Sequence, residues 1–318
     1  MTKRILVTQP VPEAAERVLE GFEVSWNRGP RLEPPELLAR ATGRHGILCL
    51  LTDGIGPAIL SLPGLEAVST VSVGYDHIDL TAAVEHGIVV THTPDVLTET
   101  TADFAWALLM AVARRVVEGD SYVRRGRFQG WDPLLLLGSD VHGKCLGIVG
   151  MGRIGRAMAR RAQGFDMRVA YYDPLLKYPD AAAVTLDELL AQADFVTLHV
   201  PLSESTHHLI GWAELARMKP TAYLVNTSRG PVVDEAALVQ ALSSGTIAGA
   251  GLDVFEREPR LEAGLAGLEN VVLAPHIASA SRETRERMAV MAAQDLKAVL
   301  EGRTPSHPVP LTGHRRAK

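Results

Sequence analysis

Three polar residues follow three apolar stretches in the last part of the chain, and their types suit acid–base chemistry on a negatively charged molecule. Arg229 follows LVNTS, Glu258 follows GLDVF after two residues, and His276 follows NVVLAP. Short apolar runs of this kind are typical of buried strands. Successive strands of an open parallel sheet face one crevice with their carboxyl ends. We therefore expect Arg229, Glu258 and His276 to lie together at one sheet edge.

The chemistry of the three side chains is complementary. A guanidinium is a two-pronged ligand for a carboxylate, and an imidazole exchanges a proton near neutral pH. A neighbouring carboxylate orients the ring and favours the imidazolium. Taken alone, His276 after Pro275 is an ordinary turn residue; Arg229 and Glu258 are what favour a catalytic role. With a nicotinamide nearby, the set predicts reduction of a 2-keto acid: the Arg holds the acid, the His protonates the ketone oxygen and NADH supplies hydride.

A glycine pattern earlier in the chain predicts the nicotinamide cofactor. Gly150, Gly152 and Gly155 have the G-x-G-x-x-G spacing, after an apolar strand at 146–149 and before a helix rich in Ala and Arg. The first glycine permits a tight turn, the second lets the backbone approach a pyrophosphate, and the third lets helix and strand pack closely. The helix N-terminus then faces the phosphates.

Asp173 bears on which dinucleotide binds. It ends the predicted strand MRVAYYD, 18 residues after Gly155. An acid there accepts hydrogen bonds from the adenosine ribose and repels a 2′-phosphate, which favours NAD over NADP. The loop after it supplies no Arg to offset this charge; Lys177 would do so only if the loop folds back. Two alternatives remain at this point: a plain Asp-Pro turn, and a methyltransferase of related fold, which leaves the Arg, Glu and His unexplained.

The elements that position these residues alternate between short apolar runs and helical periodicity, which indicates an α/β protein. One long helix is predicted over 100–118, apolar on most faces, and the segment RRGRFQGWDPLLLLGSDVHGK after it is predicted to be a loop or a docking arm. TLDELLAQA carries the capping-box spacing from Thr185 to Glu188. The predicted strands are RILVT, GILCLL, AVSTVSV and GIVVTHT, then CLGIVG, RVAYYD, FVTLHV, AYLVNTS, GAGLDVF and NVVLAPH.

Composition is that of a soluble globular protein rather than of a nucleic-acid-binding or membrane protein. Its 318 residues suggest about two domains, and 32 basic against 37 acidic residues argue against a surface that binds nucleic acid or an anionic membrane. We expect no signal peptide and no membrane span. Cys49 and Cys145 lie in apolar runs, as in a cytoplasmic, reducing environment. The adjacent His207 and His208 lack further ligands, so no metal site is predicted.

The order GxGxxG, Asp173, NTSRG, DVFEREP and PHIAS resembles the D-isomer-specific 2-hydroxyacid dehydrogenases over nearly the whole chain. Within that family, VSVGYDHIDL, VLTETTADFAWALLMAVAR, GWDPLLLLGSDVHGK and MGRIGRAMARRAQGF look most like the glyoxylate/hydroxypyruvate reductases. The resemblance implies two Rossmann-like or flavodoxin-like parallel-sheet α/β domains, the cofactor domain being inserted into the substrate domain. The NAD-binding domain would span 99–283, and the substrate-binding domain 1–98 and 284–318.

The same resemblance assigns roles to individual residues. Arg229, Glu258 and His276 match the family's catalytic Arg, Glu and His, and backbone amides near Val73 and Gly74 match its contacts to the substrate carboxylate. Relatives are commonly homodimers, and Trp131 matches a residue that reaches the partner's active site. Asp253 matches the contact to the nicotinamide amide. The other positions matching the cofactor pocket are Thr101, Arg153, Ile154, Pro201, Thr206, Thr227, Ser228, His276 and Ser279.

Three positions call for separate interpretations. His77 stands where many members carry Asn, and a structural role is favoured. His199 in TLHVP lines the cofactor pocket or is a satisfied strand-end histidine. YYDPLL around Asp173 departs from relatives with a Ser or an Arg-rich stretch there, which favours NAD, with NADPH as the alternative.

The predicted activity is reduction of glyoxylate to glycolate and of hydroxypyruvate to D-glycerate. A phosphoglycerate or D-lactate dehydrogenase is the alternative among enzymes, although the chain ends soon after its last helix and so has no long regulatory tail. An NAD-sensing, corepressor-like binding protein is the alternative from another class. No obvious partner-binding extension supports it.

Overall fold

The structure is a computed structural model that describes residues 2–310. Within these residues the chain forms two compact units: one from residues 2–97 and 280–310, the other from Thr98–Ser279. The first unit is therefore built from both ends of the chain and the second from its middle. Residues 311–318, which the sequence assigned to the substrate-binding domain, lie outside the described residues.

The first unit is built on a five-stranded parallel sheet in the order β2-β1-β3-β4-β5, the flavodoxin-like order. Each strand is three or four residues long, and two of the three interior strands are buried along their whole length. The strands are β1 (Arg4–Val7), β2 (Glu23–Trp26), β3 (Gly46–Cys49), β4 (Ala67–Thr70) and β5 (Val89–Thr91). The helices between them are α1 (Ala14–Val18), α2 (Pro34–Ala41), α3 (Pro57–Leu60) and α4 (Leu80–Glu85).

The second unit is built on a seven-stranded parallel sheet in the order β12-β11-β10-β9-β6-β7-β8. The strand order reverses between β6 and β9, which is the switch point where Rossmann sheets bind dinucleotides. The strands are β6 (Cys145–Val149), β7 (Arg168–Tyr172), β8 (Ala182–Ala183), β9 (Phe195–Leu198), β10 (Tyr223–Asn226), β11 (Gly249–Leu252) and β12 (Val271–Leu273). The helices are α5 (Thr98–Ala113), α6 (Val116–Arg124), α7 (Arg153–Gln163), α8 (Leu186–Gln192), α9 (Trp212–Leu215) and α10 (Glu235–Ser243).

Both sheets confirm the predicted fold of two parallel-sheet α/β domains. Helices cover both faces of the seven-stranded sheet, which is why strands such as β6 are apolar throughout rather than alternating. The final helix, α11 (Arg282–Leu300), packs on the five-stranded sheet. A Cβ on Gly46 of β3 would lie 2.9 Å from Leu296 and Leu300, so this glycine permits the close approach.

The prediction of one long helix over 100–118 is wrong, because α5 ends at Ala113 and α6 begins at Val116. Arg115 between them has a φ of 51°, which breaks the helical backbone. The freed carbonyl of Ala113 accepts the backbone N–H of Ser139, and a Cβ on Gly138 would lie 2.3 Å from that oxygen. The following segment thus packs against the end of α5 and stops it.

The two strands that the sequence did not predict, β2 and β8, lie at sheet edges. β2 reads EVSW and no residue of it is fully buried, while β8 is two exposed alanines, so neither carries an apolar run. The capping box at Thr185 and Glu188 is present as predicted. Across residues 2–310, no helix combines the length and the apolar character needed to cross a bilayer.

Candidate active site

The glycine turn after β6 lies at the switch point of the seven-stranded sheet. Gly150 has a φ of 95°, and a Cβ there would lie 2.6 Å from the carbonyl oxygen of His199, at the end of β9. A Cβ on Gly155 would lie 2.1 Å from the carbonyl oxygen of Gly150. Both glycines are therefore required for the turn itself.

Gly152 differs from its two neighbours, because nothing in the protein fills the space next to it. Its φ is −70°, and an added Cβ would meet no atom within 4 Å. Folding alone does not demand glycine here. The open space in front of the first turn of α7 fits a pyrophosphate approaching the backbone, as the sequence pattern predicts.

Asp173 connects the end of β7 to this turn. One carboxylate oxygen accepts the backbone N–H of Met151 at 2.8 Å, and the other accepts those of Leu175 and Leu176 at 2.8 Å each. Asp173 therefore shapes the glycine turn, a role that the sequence did not reveal. Its contact to a ribose remains a prediction. Arg156 of α7 lies beside the following loop, where it donates to the carbonyl of Lys177.

Two predicted cofactor residues hold buried polar atoms without a partner among the described residues. These atoms are Nδ1 of His199 and Oγ1 of Thr227, which follow the neighbouring strands β9 and β10. Burial lowers the pKa of His199 to about 3, so its ring is neutral, and its other nitrogen lies 2.9 Å from Oγ1 of Thr197. Buried polar groups are rarely left unpaired. Both atoms are therefore suited to hydrogen-bond a group bound at this edge of the sheet.

The other predicted cofactor residues all belong to the second unit. Thr101 is buried in the first turns of α5, and Oγ1 of Thr206 donates to the carbonyl of Pro201 at 2.6 Å. Ser228 is held by its neighbour Asn226. Arg153 and Ile154 begin α7, and Ser279 ends the unit. Three features of this sheet edge fit a bound NAD molecule. They are the open space next to Gly152, the N-terminus of α7, and the two buried polar atoms of His199 and Thr227 that have no partner among the described residues.

The predicted reaction centre lies at the carboxyl ends of three adjacent strands, β10, β11 and β12. Nδ1 of His276 lies 2.9 Å from a carboxylate oxygen of Glu258, and the other oxygen of Glu258 accepts the N–H of Phe255 at 3.0 Å. Both side chains are partly exposed. Because Nδ1 is engaged, the ring nitrogen Nε2 is the one left for proton transfer.

The charge state of Glu258 suits an imidazolium partner. Burial opposes its ionisation, but the hydrogen bond and charge of His276, the N–H of Phe255 and the charge of Arg229 outweigh it and lower the pKa of Glu258. Glu258 is therefore anionic at neutral pH. An anion held there stabilises positive charge on the ring.

A buried aspartate fixes the backbone that carries His276. His276 has a φ of 56°, a left-handed conformation that is uncommon for residues other than glycine. The carboxylate of Asp253 accepts the N–H groups of Ile277 and Ala278 at 2.7 Å each, and its carbonyl accepts that of His276 at 2.8 Å. Burial raises the pKa of Asp253, against the effect of these two carboxylate hydrogen bonds. Such an enforced conformation is typical of functional sites. The predicted contact of Asp253 with a nicotinamide amide remains a prediction.

Arg229 is positioned by the turn NTSRG. The side chain of Asn226, buried at the end of β10, donates to the carbonyl of Arg229 at 2.9 Å and accepts from the N–H and hydroxyl of Ser228. A Cβ on Gly230 would lie 1.9 Å from the backbone of Phe255, so the turns bearing Arg229 and Glu258 are in direct contact. Asn226 belongs to the pattern NTSRG, but the pattern predicted no role for it; an Asn at a strand end before a turn was the available signal.

A pair of glutamates, also missed from sequence, joins the same two turns. The carboxylate of Glu235, buried at the start of α10, accepts the N–H of Glu256 at 2.8 Å, and that of Glu256 accepts the N–H of Glu235 at 3.3 Å. Burial, with the charges of Glu256 and Glu262, raises the pKa of Glu235 against opposing backbone hydrogen bonds. His208 contacts Glu256 at 3.1 Å and stacks on His207.

The remaining predicted residues lie elsewhere. Val73 and Gly74 follow β4 in the first unit, where their carbonyl oxygens are hydrogen-bonded to His92 and Ser72. Trp131 lies in the segment after α6 and is 86% exposed. Nε2 of His77 lies 3.0 Å from Oγ1 of Thr70, which agrees with a structural role for this histidine.

Comparison with known proteins identifies the class. Residues 106–278 match the family model described as D-isomer specific 2-hydroxyacid dehydrogenase, NAD binding domain. A glyoxylate reductase from Korarchaeum cryptofilum is 52% identical over 315 residues, covering 96% of this chain and 95% of that protein. The crystal structure of a protein from Thermus thermophilus has a TM-score of 0.93 and 50% identity, covering 96% of this chain and 99% of that one.

A second crystal structure is that of an NADPH-dependent glyoxylate/hydroxypyruvate reductase from Sinorhizobium meliloti in complex with NADP and malonate. It has a TM-score of 0.90 and 36% identity, and the match covers 100% of both chains. The Rossmann sheet with open space at its switch point is of the class that binds dinucleotides, and the relatives of this chain are reductases. With these relatives, the chain belongs to the D-isomer-specific 2-hydroxyacid dehydrogenase family and carries that family's NAD-binding domain. The predicted family is thereby confirmed.

Proposed function

We propose that the protein reduces glyoxylate to glycolate and hydroxypyruvate to D-glycerate, with NADH as the preferred reductant. The observation that carries the proposal is the Glu258–His276 pair, in which Nδ1 of His276 lies 2.9 Å from a carboxylate oxygen of Glu258. The two residues follow β11 and β12, and the turn of Arg229 follows the adjacent strand β10. The names of the relatives from Korarchaeum and Sinorhizobium support the choice of substrates.

The side chains divide the chemistry among them. A bound NADH supplies the hydride that the carbonyl carbon accepts. Nε2 of His276 gives its proton to the carbonyl oxygen, while Nδ1 stays bonded to Glu258. The anionic Glu258 keeps the ring charged until that transfer, and Arg229 pairs with the carboxylate of the keto acid.

The reverse reaction, oxidation of a hydroxy acid, tests this function with the two enantiomers of glycerate. With NAD⁺, the protein is expected to oxidise D-glycerate and to leave L-glycerate untouched. The hydride leaves C2 towards a cofactor held in one place, and the proton leaves the hydroxyl oxygen towards a histidine held in another, so only one enantiomer presents both correctly. Initial NADH formation measured by absorbance gives both rates. Oxidation of L-glycerate at a comparable rate would contradict the proposed function.

Replacing Glu258 by Gln tests the charge of the pair through the pH profile. Gln still accepts a hydrogen bond from Nδ1 but brings no negative charge to hold the imidazolium. The fall of kcat/KM for reduction as pH rises should therefore begin about one pH unit or more lower than in the parent. Rates measured from pH 5 to 9, with the exposed Glu269→Gln as matched control, give the shift. If kcat/KM falls at the same pH in Glu258→Gln as in the parent, Glu258 has no part in proton transfer.

Cofactor preference is tested at Asp173. The parent should favour NADH over NADPH, and Asp173→Asn should shrink the ratio of the two kcat/KM values about tenfold, since loss of about 1.4 kcal/mol of repulsion is tenfold. The ratio is used because Asp173→Asn also alters the hydrogen bond from the N–H of Met151. That change affects the binding of both cofactors alike and so cancels in the ratio. Asp180→Asn, on the same loop, is the control. A parent that prefers NADPH would show that cations such as Arg156 outweigh the acid.

We also propose a homodimer, in which a second copy of the chain covers the segment after α6. The apolar side chains of Trp131 and Leu134 there are 86% and 76% exposed, and Phe128 and Leu137 are exposed as well. Exposed apolar patches of this kind mark interaction sites. The proposal also places Trp131 at the partner's substrate site, as the family resemblance implies.

Trp131→Ala should therefore change the ranking of keto acids, with hydroxypyruvate affected more than glyoxylate because its side chain is longer. Light scattering of the parent should give the mass of two chains. Trp212→Ala, a partly exposed tryptophan on α9, is the matched control and should leave the ranking unchanged. A fully active monomer would contradict the shared site.

A further inference from the structure

The loop after β4, residues 72–75, is held from behind by polar side chains, and this arrangement extends the proposed function. The family resemblance assigns the backbone N–H groups near Val73 and Gly74 to the carboxylate of the substrate. We propose that Thr70, Ser72, His77 and His92 are positioning residues that hold these N–H groups in place for that carboxylate. The inference rests on the proposed function for the identity of that substrate. Its structural basis lies wholly within the first unit.

Three successive carbonyl oxygens of the loop are anchored. That of Ser72 accepts the N–H of Thr93 at 2.8 Å, that of Val73 lies 2.8 Å from Nδ1 of His92, and that of Gly74 accepts the hydroxyl of Ser72 at 2.6 Å. A carbonyl oxygen only accepts hydrogen bonds. Nδ1 of His92 therefore carries a hydrogen, and the hydroxyl hydrogen of Ser72 is committed to Gly74.

Because the hydroxyl of Ser72 donates to Gly74, the donors and acceptors of a longer chain of hydrogen bonds are also determined. Oγ1 of Thr70 lies 2.8 Å from Oγ of Ser72, so Thr70 must be the donor to Ser72. Oγ1 of Thr70 then accepts from Nε2 of His77, 3.0 Å away. The order runs from His77 through Thr70 and Ser72 to Gly74. Thr70 and Ser72 are buried, which protects these bonds from competition by water.

The anchored carbonyls determine where the N–H groups point. In a planar trans peptide the N–H is directed opposite to the C=O. Anchoring the carbonyls of Ser72, Val73 and Gly74 therefore directs the N–H groups of Val73, Gly74 and Tyr75 away from the side chains that hold them. Within residues 2–310, none of these three N–H groups has a hydrogen-bond acceptor.

Consecutive N–H groups without acceptors bind anions. Val73, Gly74 and Tyr75 are partly exposed, so a small anion can reach them. A carboxylate offers two oxygens that accept several such bonds. The positioning residues hold the three peptide planes in place before the anion arrives. Anion binding therefore does not have to offset the entropy cost of ordering the loop.

His92 offers a clean test because two substitutions differ only in the donor. Asn places an N–H₂ group where Nδ1 of the ring lies, and Leu fills the same space without a donor. Both lose the edge contact between the rings of His92 and Tyr75, which are 5.4 Å apart. A difference between His92→Asn and His92→Leu therefore reports the hydrogen bond to Val73 alone.

The measurement is the binding of oxalate to the NADH-loaded protein by calorimetry, together with KM and kcat for glyoxylate. His92→Leu and Ser72→Ala should weaken oxalate binding and raise KM about tenfold, the order of one lost hydrogen bond, while kcat and the KM for NADH change less than about twofold. His92→Asn should recover most of the loss. The exposed Ser61→Ala serves as control.

The outcomes separate this inference from the proposed function. Equal oxalate binding by His92→Asn, His92→Leu and the parent would overturn it, as would a parent that does not bind oxalate. If oxalate binding follows the expected order of variants but the parent does not reduce glyoxylate, the positioning role of these residues is upheld and the proposed activity is contradicted. A fall in kcat with KM unchanged would assign these residues to another role and overturn the inference as well.

Discussion

His276→Asn is expected to lower kcat for keto-acid reduction by about 10²–10⁴-fold, the usual contribution of a positioned acid or base. The substitution removes the proton that Nε2 delivers. Asn is the informative choice because it tolerates the left-handed backbone found at this position, where φ is 56°. His276→Ala should lose as much turnover, although Ala fits that conformation less well.

The comparison of the two variants separates chemistry from strain. If distortion of the backbone caused the loss, Asn would retain far more activity than Ala. NADH binding, followed by quenching of tryptophan fluorescence, should stay near the parental value in both. Turnover of either variant close to that of the parent across the pH range would exclude His276 as the proton donor.

Arg229→Ala is expected to lower kcat/KM for glyoxylate by about 30- to 4,000-fold. Removing one partner of a buried charge pair costs about 2–5 kcal/mol, and each 1.4 kcal/mol is tenfold. Arg229→Lys should restore only part of this, because an ammonium lacks the planar fork that meets both carboxylate oxygens. Steady-state rates with NADH give the values.

A nearby arginine provides the control for Arg229. Arg257 belongs to the turn that carries Glu258, its side chain is largely exposed and it lies 3.7 Å from Glu262. Arg257→Ala should keep kcat/KM within about twofold of the parent, as surface charges do. If Arg229→Lys matches the parent, or if Arg257→Ala falls as far as Arg229→Ala, the carboxylate is held elsewhere.

Much of the fold followed from apolar runs and their spacing. The central strands were predicted because burial on both faces makes them apolar throughout, as in β6. β2 and β8 were not, because an edge strand needs no such run. The break between α5 and α6 depends on Gly138 and Ser139, more than twenty residues further on, meeting Ala113. No periodicity within the helix records that contact.

The candidate site was predictable to the extent that it depends on strand order. Arg229, Glu258 and His276 follow adjacent strands, and the hydrogen bond between the last two agrees with the interpretation from sequence. The supporting hydrogen bonds were not predictable. Asp253 accepts the N–H groups of Ile277 and Ala278 across a separation of 24 and 25 residues, and only the folded backbone brings them together.

The most direct test of the proposed function is a set of initial rates for NADH oxidation by the purified protein with four keto acids. The acids are glyoxylate, hydroxypyruvate, pyruvate and phosphohydroxypyruvate. The proposed function predicts the highest kcat/KM for glyoxylate and hydroxypyruvate, with loss of both rates in His276→Asn. A higher kcat/KM for pyruvate or phosphohydroxypyruvate would make the protein a different member of its family, and no reduction of any of the four would contradict the assignment.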